Sequence, residues 1–516
     1  MSTLIKDIGP RKWWAVGAIS LAAIAFSLDL TVLNLALPTL SKALHASTSQ
    51  LEWIADVYAL ALAVLTLPAG MLGDRFGRKR LLVMAVALFG IASAVCAYST
   101  SVDMLISARI LLGVGAAFIL PLGMSVMPLY FKPAERTKAL AILMGGVFLA
   151  YPLGPILGGW LLTHFWWGSV FLINIPVCLL AVTAIAALLP ESKSETASSI
   201  DWLGIVLSSF GLTGITYGAI QAESSGWSDE KVLAALFVGA ALLIAFVAWE
   251  RYVTRSNKVA LVDLKLFAYG AFTWGTILMT SVNFALFGLL FGLPQYLQAV
   301  RGDDALHAGY FLLPMIAGLI IGSVAAGKVG AKAPHKAMAT LGFLCMAIGL
   351  LLGARTAIGS SAQFIVAWTA VIGLGLGIAM PTVATAAISP LSADRSASGT
   401  ALISAVRQVG GTLGIALLGT LLGSSYRNHL EISNLPLGLQ NSVSQSVIAG
   451  VAIAKALHIP SLLGFVRSAF VMGLTDMLTV CGIIALVAGC VALAFLPNAH
   501  KVKTAIGTTR VRTETN

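Results

Sequence analysis

Four ionisable residues lie deep inside long apolar stretches of this sequence, where a charge is costly. The four are Asp29, Asp56, Arg109 and Arg407. If such stretches are membrane-spanning helices, an ionisable side chain within them indicates a functional site. Glu52 and Asp476 fall close enough to the ends of their stretches that we expect them at the membrane surface.

Asp29 lies just past the centre of the first apolar stretch. Removing a carboxyl group from water favours its neutral form, so proton uptake near neutral pH becomes accessible. A cationic substrate would compensate the ionised form, and proton and substrate would then compete for one carboxylate. We therefore predict that Asp29 couples proton movement to substrate movement. The alternative is a permanent brace between helices, with Asp29 tied to Arg109.

Asp56 is about one and a half turns into the second apolar stretch, near its outer end. The neighbouring Trp53 and Tyr58 offer aromatic faces to a cation, which makes this a candidate substrate site. The alternative is an Asp56 solvated in an outer vestibule. Arg109 is similarly deep in the fourth stretch, and we predict that it modulates Asp29 by charge or through a water-mediated link. A structural brace is again the alternative.

The composition indicates a membrane protein. Of 516 residues, 58% are hydrophobic and 10% are charged, whereas soluble domains carry about 25% charged residues. The apolar stretches have the length of a helix that crosses a bilayer. We predict an all-α polytopic protein with fourteen membrane-spanning helices. These cover residues 13–38, 51–73, 81–98, 104–127, 138–162, 168–190, 202–220, 231–250, 271–293, 307–327, 337–355, 362–388, 398–424 and 468–496.

The net charge of +11 is explained by membrane orientation. With the N-terminus inside, most of the 32 Lys and Arg residues fall in predicted cytoplasmic segments, as the positive-inside rule requires. We therefore predict a bacterial inner-membrane protein with both termini in the cytoplasm and no nucleic-acid partner. The five cysteines lie in apolar stretches without metal-ligand spacing, so we predict neither a metal site nor a cofactor.

An internal repeat predicts two related halves. Three helix-4 residues recur at a constant offset in helix 12: Gly113, Gly115 and Pro121 correspond to Gly373, Gly375 and Pro381. Two copies of equal orientation imply pseudo-symmetric bundles about an axis along the membrane normal. We predict a six-helix bundle in residues 1–200, two linker helices in 201–260 and a second six-helix bundle in 261–516. The second bundle includes a cytoplasmic tail and an outer loop, 425–467, with one or two short amphipathic helices.

The loop after helix 2 combines glycines, an aspartate and basic residues. This pattern is more specific than a run of basic residues that only sets the orientation in the membrane. Its candidate residues are Gly70, Asp74, Arg75, Gly77 and Arg78. A tight turn at Gly77 would let helices 2 and 3 approach, while Asp74 could cap a helix N-terminus of the other bundle. Such a contact would stabilise one conformation of an alternating-access transporter and break in the other.

Helix 5 carries small residues and prolines at high density: Gly154, Pro155, Gly158 and Gly159. Small residues permit close helix packing, and proline bends a helix. A packing kink without further role is the alternative.

Together these segments resemble the major facilitator superfamily, and within it the fourteen-helix drug:proton antiporters, the QacA-like and EmrB-like group. The loop from Gly70 to Arg80 is similar to the superfamily motif at nearly every position. Residues 105–117 resemble the helix-4 motif, with Leu112 in place of the usual Gln. Residues 154–159 resemble the antiporter motif of helix 5, although Ala150 replaces its first glycine.

The stretch from Asp29 to Pro38, which contains Asn34, resembles the helix-1 motif of the fourteen-helix group. Residues 171–176, 201–204 and 295–298 also fit that group. The resemblance implies roles in proton coupling and cationic drug recognition for Asp29 and Asp56, with Asn34 a further substrate-binding candidate.

The sequence departs from pumps of divalent cations, which place acidic residues in helices 10 and 13. Helix 10 has none here, and helix 13 offers Ser404, Arg407 and Gln408. This favours monovalent lipophilic cations, dyes or neutral compounds.

The resulting prediction is a proton-driven, monomeric exporter of hydrophobic cationic drugs, antiseptics and dyes. A dedicated exporter of one metabolite or self-made antibiotic is the alternative, and a non-transporting sensor or scaffold a remote one. The sequence has no G-x-x-x-x-G-K-[ST] loop for nucleotide phosphates, and no side-chain constellation indicates an enzyme.

Overall fold

The computed structural model describes residues 11–131, 133–192, 201–256, 261–262, 264–329, 333–391, 393–432 and 436–496. Fourteen long helices, each labelled by the predicted helix to which it corresponds, account for most of these residues. They are α1 (Arg11–Leu44), α2 (Thr48–Phe76), α3 (Arg78–Ala97), α4 (Val102–Tyr130), α5 (Pro133–His164), α6 (Ser169–Leu188), α7 (Trp202–Ser225), α8 (Glu230–Arg255), α9 (Gly270–Arg301), α10 (Ala305–Val329), α11 (His335–Gly353), α12 (Ala362–Ile388), α13 (Ala393–Asn428) and α14 (Pro460–Phe495).

Three of these helices are irregular. A single residue, Ile173, interrupts α6. The last turn of α9, Tyr296–Arg301, is a π-helix, and α10 has a short first part, Ala305–Tyr310. Polar caps define several starts: Ser47 and Gln50 form a capping box at α2, and Ser101 caps α4.

Twelve of the helices, within the described residues, are long and apolar enough to cross a membrane. The other two, α2 and α5, contain 29 and 32 residues and are not among the twelve. The multi-pass, all-helical architecture expected from composition is therefore present.

The predicted outer segment 425–467 is shorter than expected, because helices extend into it from both sides. Between Asn428 and Pro460 the described residues form two short helices, Leu437–Gln445 and Val447–Ala456. Because α14 begins at Pro460, Asp476 lies well inside that helix rather than near its start. The apolar stretches alone do not predict the polar turns by which helices extend beyond a membrane.

The two halves share one pattern of helix packing. In the first half, α1 packs on α5, α4 on both α2 and α3, and α6 on α1 and α3. The same pairs recur eight helices later: α9 with α13, α12 with both α10 and α11, and α14 with α9 and α11. The helix pairing thus follows the repeat seen in the sequence.

The repeated glycines lie where these helix pairs touch. A Cβ on Gly115 of α4 would lie 2.8 Å from the Ala85 carbonyl of α3, and one on Gly375 of α12 would lie 2.6 Å from the Gly342 carbonyl of α11. Gly113 meets the backbone of Tyr58 in α2, and its counterpart Gly373 meets the backbone of Met315 in α10. No larger residue fits against a neighbouring backbone in this way.

Contacts between the halves join α2 to α13 and α5 to α10, while α7 packs on α8, α2 and α13. Two hydrogen bonds across the halves lie toward the end where α1 joins α2, here named the closed end. Gln298 Nε2 donates to the Leu35 carbonyl at 2.9 Å, and Thr48 Oγ1 donates to the Gln445 carbonyl at 2.6 Å.

Replacing Gly373 by Ala tests the close contact between α12 and α10. The added methyl group collides with the Met315 backbone, so we expect the free energy of unfolding to fall by about 1–3 kcal/mol. Thermal unfolding of the detergent-solubilised protein measures the change.

Gly464→Ala in α14 is the matched control, because nothing lies within 4 Å of its added Cβ. Alanine has the higher helix propensity, so this variant should be unchanged or stabilised by up to about 1 kcal/mol. Equal unfolding temperatures for the two variants would contradict the packing argument.

Candidate functional site

Asp29 of α1 and Arg109 of α4 form a direct ion pair. Arg109 Nη1 donates to Asp29 Oδ2 at 3.0 Å, and the two side chains are only 1% and 2% exposed. Arg109 therefore contacts Asp29 directly, without a bridging water, and this contact is also the one expected of a brace between α1 and α4. A charge buried this deeply needs a partner, because neither group can recover its hydration inside the protein.

Tyr58 of α2 completes the surroundings of Arg109. The guanidinium carbon lies 4.8 Å from the centre of the Tyr58 ring, an arrangement that favours a cation. The Tyr58 hydroxyl donates to the Phe26 carbonyl of α1 at 3.3 Å. Three helices thus meet at the ion pair. The face of the Tyr58 ring, which the sequence offers to a substrate cation, is covered by Arg109.

Trp53, the other predicted aromatic, lies in a different place. Its ring is 6.2 Å from that of Tyr217 in α7. Five positions separate Trp53 from Tyr58, which is about 140° around a helix, so the two rings leave different faces of α2. They do not form one aromatic surface beside Asp56.

Asn174 of α6 is a site residue to which we assigned no role from the sequence. It neighbours Asp29, and its Nδ2 donates to Ser93 Oγ of α3 at 3.0 Å. Both side chains are buried. In the sequence, the segment 171–176 only resembles the fourteen-helix group. Spacing along the chain gives no signal that Asn174 approaches α1.

Asp56 is completely buried where α2 meets α13. Among the described residues, neither carboxyl oxygen makes a hydrogen bond of good geometry, and the neighbouring polar group is the Thr412 hydroxyl of α13. The alternative of a solvated Asp56 is therefore not what the structure has. A buried polar group without a partner is costly, which indicates a position where a ligand or proton compensates it.

Glu52 lies one turn before Asp56, near the start of α2, and is also fully buried. A Cβ on Gly419 of α13 would lie 2.5 Å from its Oε1. Asn34 is 5% exposed and donates from Nδ2 to the Leu30 carbonyl of its own helix at 2.9 Å. Its amide is thus occupied within α1.

The helix-5 motif packs α5 against two neighbours. Gly154 abuts Thr31 of α1, and a Cβ on Gly158 would lie 2.8 Å from Val32 Cγ1. Gly159 faces the second half, where an added Cβ would lie 2.7 Å from Leu306 Cα of α10. The Pro155 carbonyl likewise borders Gly309 of α10. The helix-5 motif therefore packs closely against its neighbours. Its contact with α1 begins at Thr31, two residues after Asp29.

The loop between α2 and α3 is the tight turn expected from its glycines. Gly77 has φ of 105°, and α3 begins at the next residue. An added side chain at Gly73 would collide with Leu122, while Gly70 has open space and Arg75 lies over the Phe76 ring at 5.8 Å. The side chain of Asp74 is outside the described part, so its predicted capping role stays a prediction.

Glu191, which follows α6, caps the start of α3. Its carboxylate accepts from the backbone N–H groups of Lys79 at 3.1 Å and Arg80 at 3.0 Å. The Arg78 N–H donates to the Ser192 carbonyl at 3.0 Å. The sequence analysis missed this residue, because a cap supplied from a distant segment leaves no local pattern.

The arrangement places a carboxyl group and a fixed positive charge together in the apolar interior. A carboxyl group can bind a proton, and a proton on Asp29 would leave the Arg109 charge without its partner. Within the described residues, His, Cys, Asp and Glu side chains do not gather in groups of three that could hold a metal ion.

Comparison with known proteins identifies the family. The profile of the Major Facilitator Superfamily matches residues 19–415. The chain is 32% identical over 496 residues to a tetracenomycin C resistance and export protein of Streptomyces glaucescens, covering 94% of this chain and 91% of that one. It is 32% identical over 493 residues to the multidrug efflux pump LfrA of Mycolicibacterium smegmatis, covering 93% and 95%.

A third relative is the methyl viologen resistance protein SmvA of Salmonella typhimurium, 31% identical over 471 residues, which are 89% of this chain and 93% of that one.

Two solved structures share the fold. One is a bacterial homolog of the human lysosomal transporter Spinster in an inward-facing, occupied conformation, with a TM-score of 0.64, 19% identity and coverage of 94% and 96%. The other is a D-xylose-proton symporter, with a TM-score of 0.61, 14% identity and coverage of 94% and 98%. At these identities the likeness concerns the fold alone. The chain belongs to the major facilitator superfamily, and its relatives of similar length are multidrug and antibiotic efflux proteins.

Proposed function

We propose that this transporter is a proton-driven antiporter that exports hydrophobic cationic compounds across the bacterial inner membrane. The observation that carries the proposal is the buried ion pair between Asp29 and Arg109, at 3.0 Å in the interior of the first bundle. The efflux relatives support export as the direction of transport. A buried carboxylate that can accept a proton supports coupling of transport to the proton gradient.

The proposed topology has fourteen crossings, with α2 and α5 as the two that complete the set. Both helices exceed the roughly 20 residues that a crossing needs. The bundles are residues 1–200 and 261–516, with 201–260 inserted between them. Both termini are cytoplasmic, the closed end is periplasmic, and the protein acts as a monomer.

The ion pair acts as a lock on the conformation. Protonation of Asp29 removes its charge and leaves Arg109 buried without a counter-ion, which costs about 3–5 kcal/mol. Inverting a two-state equilibrium from 1:99 to 99:1 requires about 5.5 kcal/mol. One proton therefore supplies most of the energy needed to change the state of the transporter. A cationic substrate that replaces Arg109 beside Asp29 releases the lock in the same way.

Because either a proton or a cationic substrate can break the Asp29–Arg109 pair, the transporter exchanges one for the other. The transporter without cargo keeps the Asp29–Arg109 pair and does not switch, so neither proton nor substrate leaks. The proton opens it in one direction and the substrate in the other. Because both depend on the Asp29 carboxylate, they exclude each other.

Asp56 is the second carboxylate of the proposed substrate path, since it faces α13 across the junction of the bundles without a partner. Of the other predicted substrate residues, Tyr58 would act through Arg109, which lies over its ring. Trp53 would contribute from the α2–α7 contact, and Asn34 only if it gave up its hydrogen bond to the Leu30 carbonyl. The α2–α3 turn with Asp74 serves as a conformational switch. The helix-5 glycines act as the pivot between α1 and α10, because they touch both.

A dedicated exporter of one antibiotic is the second candidate. The tetracenomycin C exporter favours this function, while LfrA and SmvA favour a wider substrate range. Efflux of a panel of dyes, quaternary ammonium compounds and aromatic antibiotics from everted vesicles separates the two.

Asp29→Asn tests the proton-coupling role. The amide keeps the size of the side chain but cannot bind and release a proton near neutral pH, so pH-gradient-driven ethidium efflux should fall at least about tenfold. Efflux is measured in cells and in everted vesicles, with and without a protonophore.

The matched control is Asp103→Asn, an exposed residue at the start of the helix that carries Arg109. This variant should transport ethidium like the unmodified protein, and both variants should insert in equal amount. Undiminished, protonophore-sensitive efflux by Asp29→Asn would refute the proposal.

Gln298→Leu tests the closed end. The change removes the donor to the Leu35 carbonyl, a hydrogen bond with a net value of about 0.5–1.5 kcal/mol. The closed end should therefore open up to about tenfold more often. The measurement is the maleimide labelling rate of a cysteine introduced at the buried Ala308, in a background without the native cysteines.

Gln295→Leu, one turn earlier, serves as the control because its amide donates to the Phe291 carbonyl of its own helix. It should leave the labelling rate unchanged. Equal rates for both variants would show that Gln298 does not hold the bundles together.

A further inference from the structure

A second buried pair of carboxyl groups lies at the base of the α7–α8 hairpin, outside the site described above. Asp201 immediately precedes α7, and Glu250 is near the end of α8. Asp201 is 8% exposed and Glu250 is fully buried. None of the roles assigned above uses either side chain.

Each carboxyl group has one oxygen that is hydrogen-bonded and one that is not. Asp201 Oδ1 accepts from the Gly204 N–H at 2.9 Å and from Trp249 Nε1 at 2.8 Å. Glu250 Oε2 accepts from the Val262 N–H at 3.1 Å. Asp201 Oδ2 and Glu250 Oε1 are buried and have no donor among the described residues.

The two unused oxygens face each other across Gly204. A Cβ on Gly204 would lie 2.6 Å from Asp201 Oδ2 and 2.8 Å from Glu250 Oε1. Both oxygens therefore surround one point, and the absence of a side chain at residue 204 leaves the space between them open. The fully buried Glu250 thus directs an unpartnered oxygen at a second carboxylate.

Within the described part of the chain, neither Asp201 nor Glu250 belongs to an ion pair. Arg251, which follows Glu250 on α8, is exposed. Two adjacent carboxylates without a counter-ion repel each other, and together they hold one proton more readily than either does alone.

We propose that Asp201 and Glu250 form a proton-binding site, in which Glu250 Oε1 carries the proton and donates it to Asp201 Oδ2. The two donors on Oδ1, the Gly204 N–H and Trp249 Nε1, stabilise Asp201 as the ionised partner. The proton comes from water, and its uptake changes the charge of the pair from −2 to −1. The shared proton gives both unused oxygens a partner.

The site ties the linker hairpin to the second bundle. Glu250 shares the proton with Asp201 through one oxygen and holds Val262, in the segment that leads to α9, through the other. Loss of the proton leaves two buried carboxylates side by side and loosens this junction. The stabilisation is therefore present at low pH and is lost as the pH rises through the range where the pair releases its proton.

Infrared spectroscopy of the full-length protein in lipid vesicles tests the site. A protonated carboxylic acid has a carbonyl stretching band that a carboxylate lacks. We expect such a band in the unmodified protein at neutral pH and its loss on titration to alkaline pH. Because Asp56 is another buried carboxyl group without a partner, the band is compared between variants. Glu250→Gln, which retains a donor toward Asp201 without a titratable proton, should fold normally and lose the component of the band that belongs to this pair, whereas Asp56→Asn should retain that component.

Asp29→Asn and Asp103→Asn are the controls and should retain the band, which separates this site from the proposed transport site. The thermal unfolding temperature should fall with rising pH in the unmodified protein and change less in Glu250→Gln. A Glu250→Gln spectrum whose band equals that of the unmodified protein, or a Glu250→Gln protein that does not fold, would overturn the proposal. Loss of ethidium transport in Asp29→Asn alone leaves it standing.

Discussion

A charged side chain in the interior of a membrane protein must have a partner, and the first bundle is arranged around this constraint. Asp29 and Arg109 meet at 3.0 Å, although 80 residues separate them along the chain. Tyr58 covers the guanidinium group from α2, and Asn174 borders the carboxylate from α6. The site thus depends on the relative placement of α1, α2, α4 and α6, and a shift of any one alters the environment of a buried charge.

Close glycine contacts allow this placement. Gly113 brings α4 against α2 at Tyr58, the residue that stacks on Arg109. The second bundle repeats the contact between Gly373 and Met315, but Arg109 corresponds to no basic residue there; Thr369 occupies the equivalent position. The halves therefore share a packing scheme, while the buried ion pair belongs to the first. In the proposed mechanism, the first bundle would therefore bind the proton and the second would follow its change of conformation.

Much of the architecture could be predicted, because apolar length and charge position are local properties of a sequence. Helix positions, the repeat and the Gly77 turn agree with the structure. What could not be predicted is the rotation of each helix against its neighbours. The sequence offers the Asp29–Arg109 contact only as one of two alternatives, and the choice depends on that rotation. The separation of Trp53 from Tyr58 and the burial of Glu52 depend on it as well. Glu191 and Asn174 were missed for a related reason, since each acts on an element distant in sequence.

The central claim is that protonation of Asp29 releases a conformational lock. The most direct measurement is the distance between spin labels at Trp160 of α5 and Tyr310 of α10, two exposed positions on helices that meet across the bundles. In a background without native cysteines, double electron–electron resonance should give one short distance between the labels at alkaline pH. At acidic pH it should give that distance and a second, longer one. Asp29→Asn should give the longer distance at both. A distance insensitive to pH, or an Asp29→Asn protein that stays closed, would contradict the account.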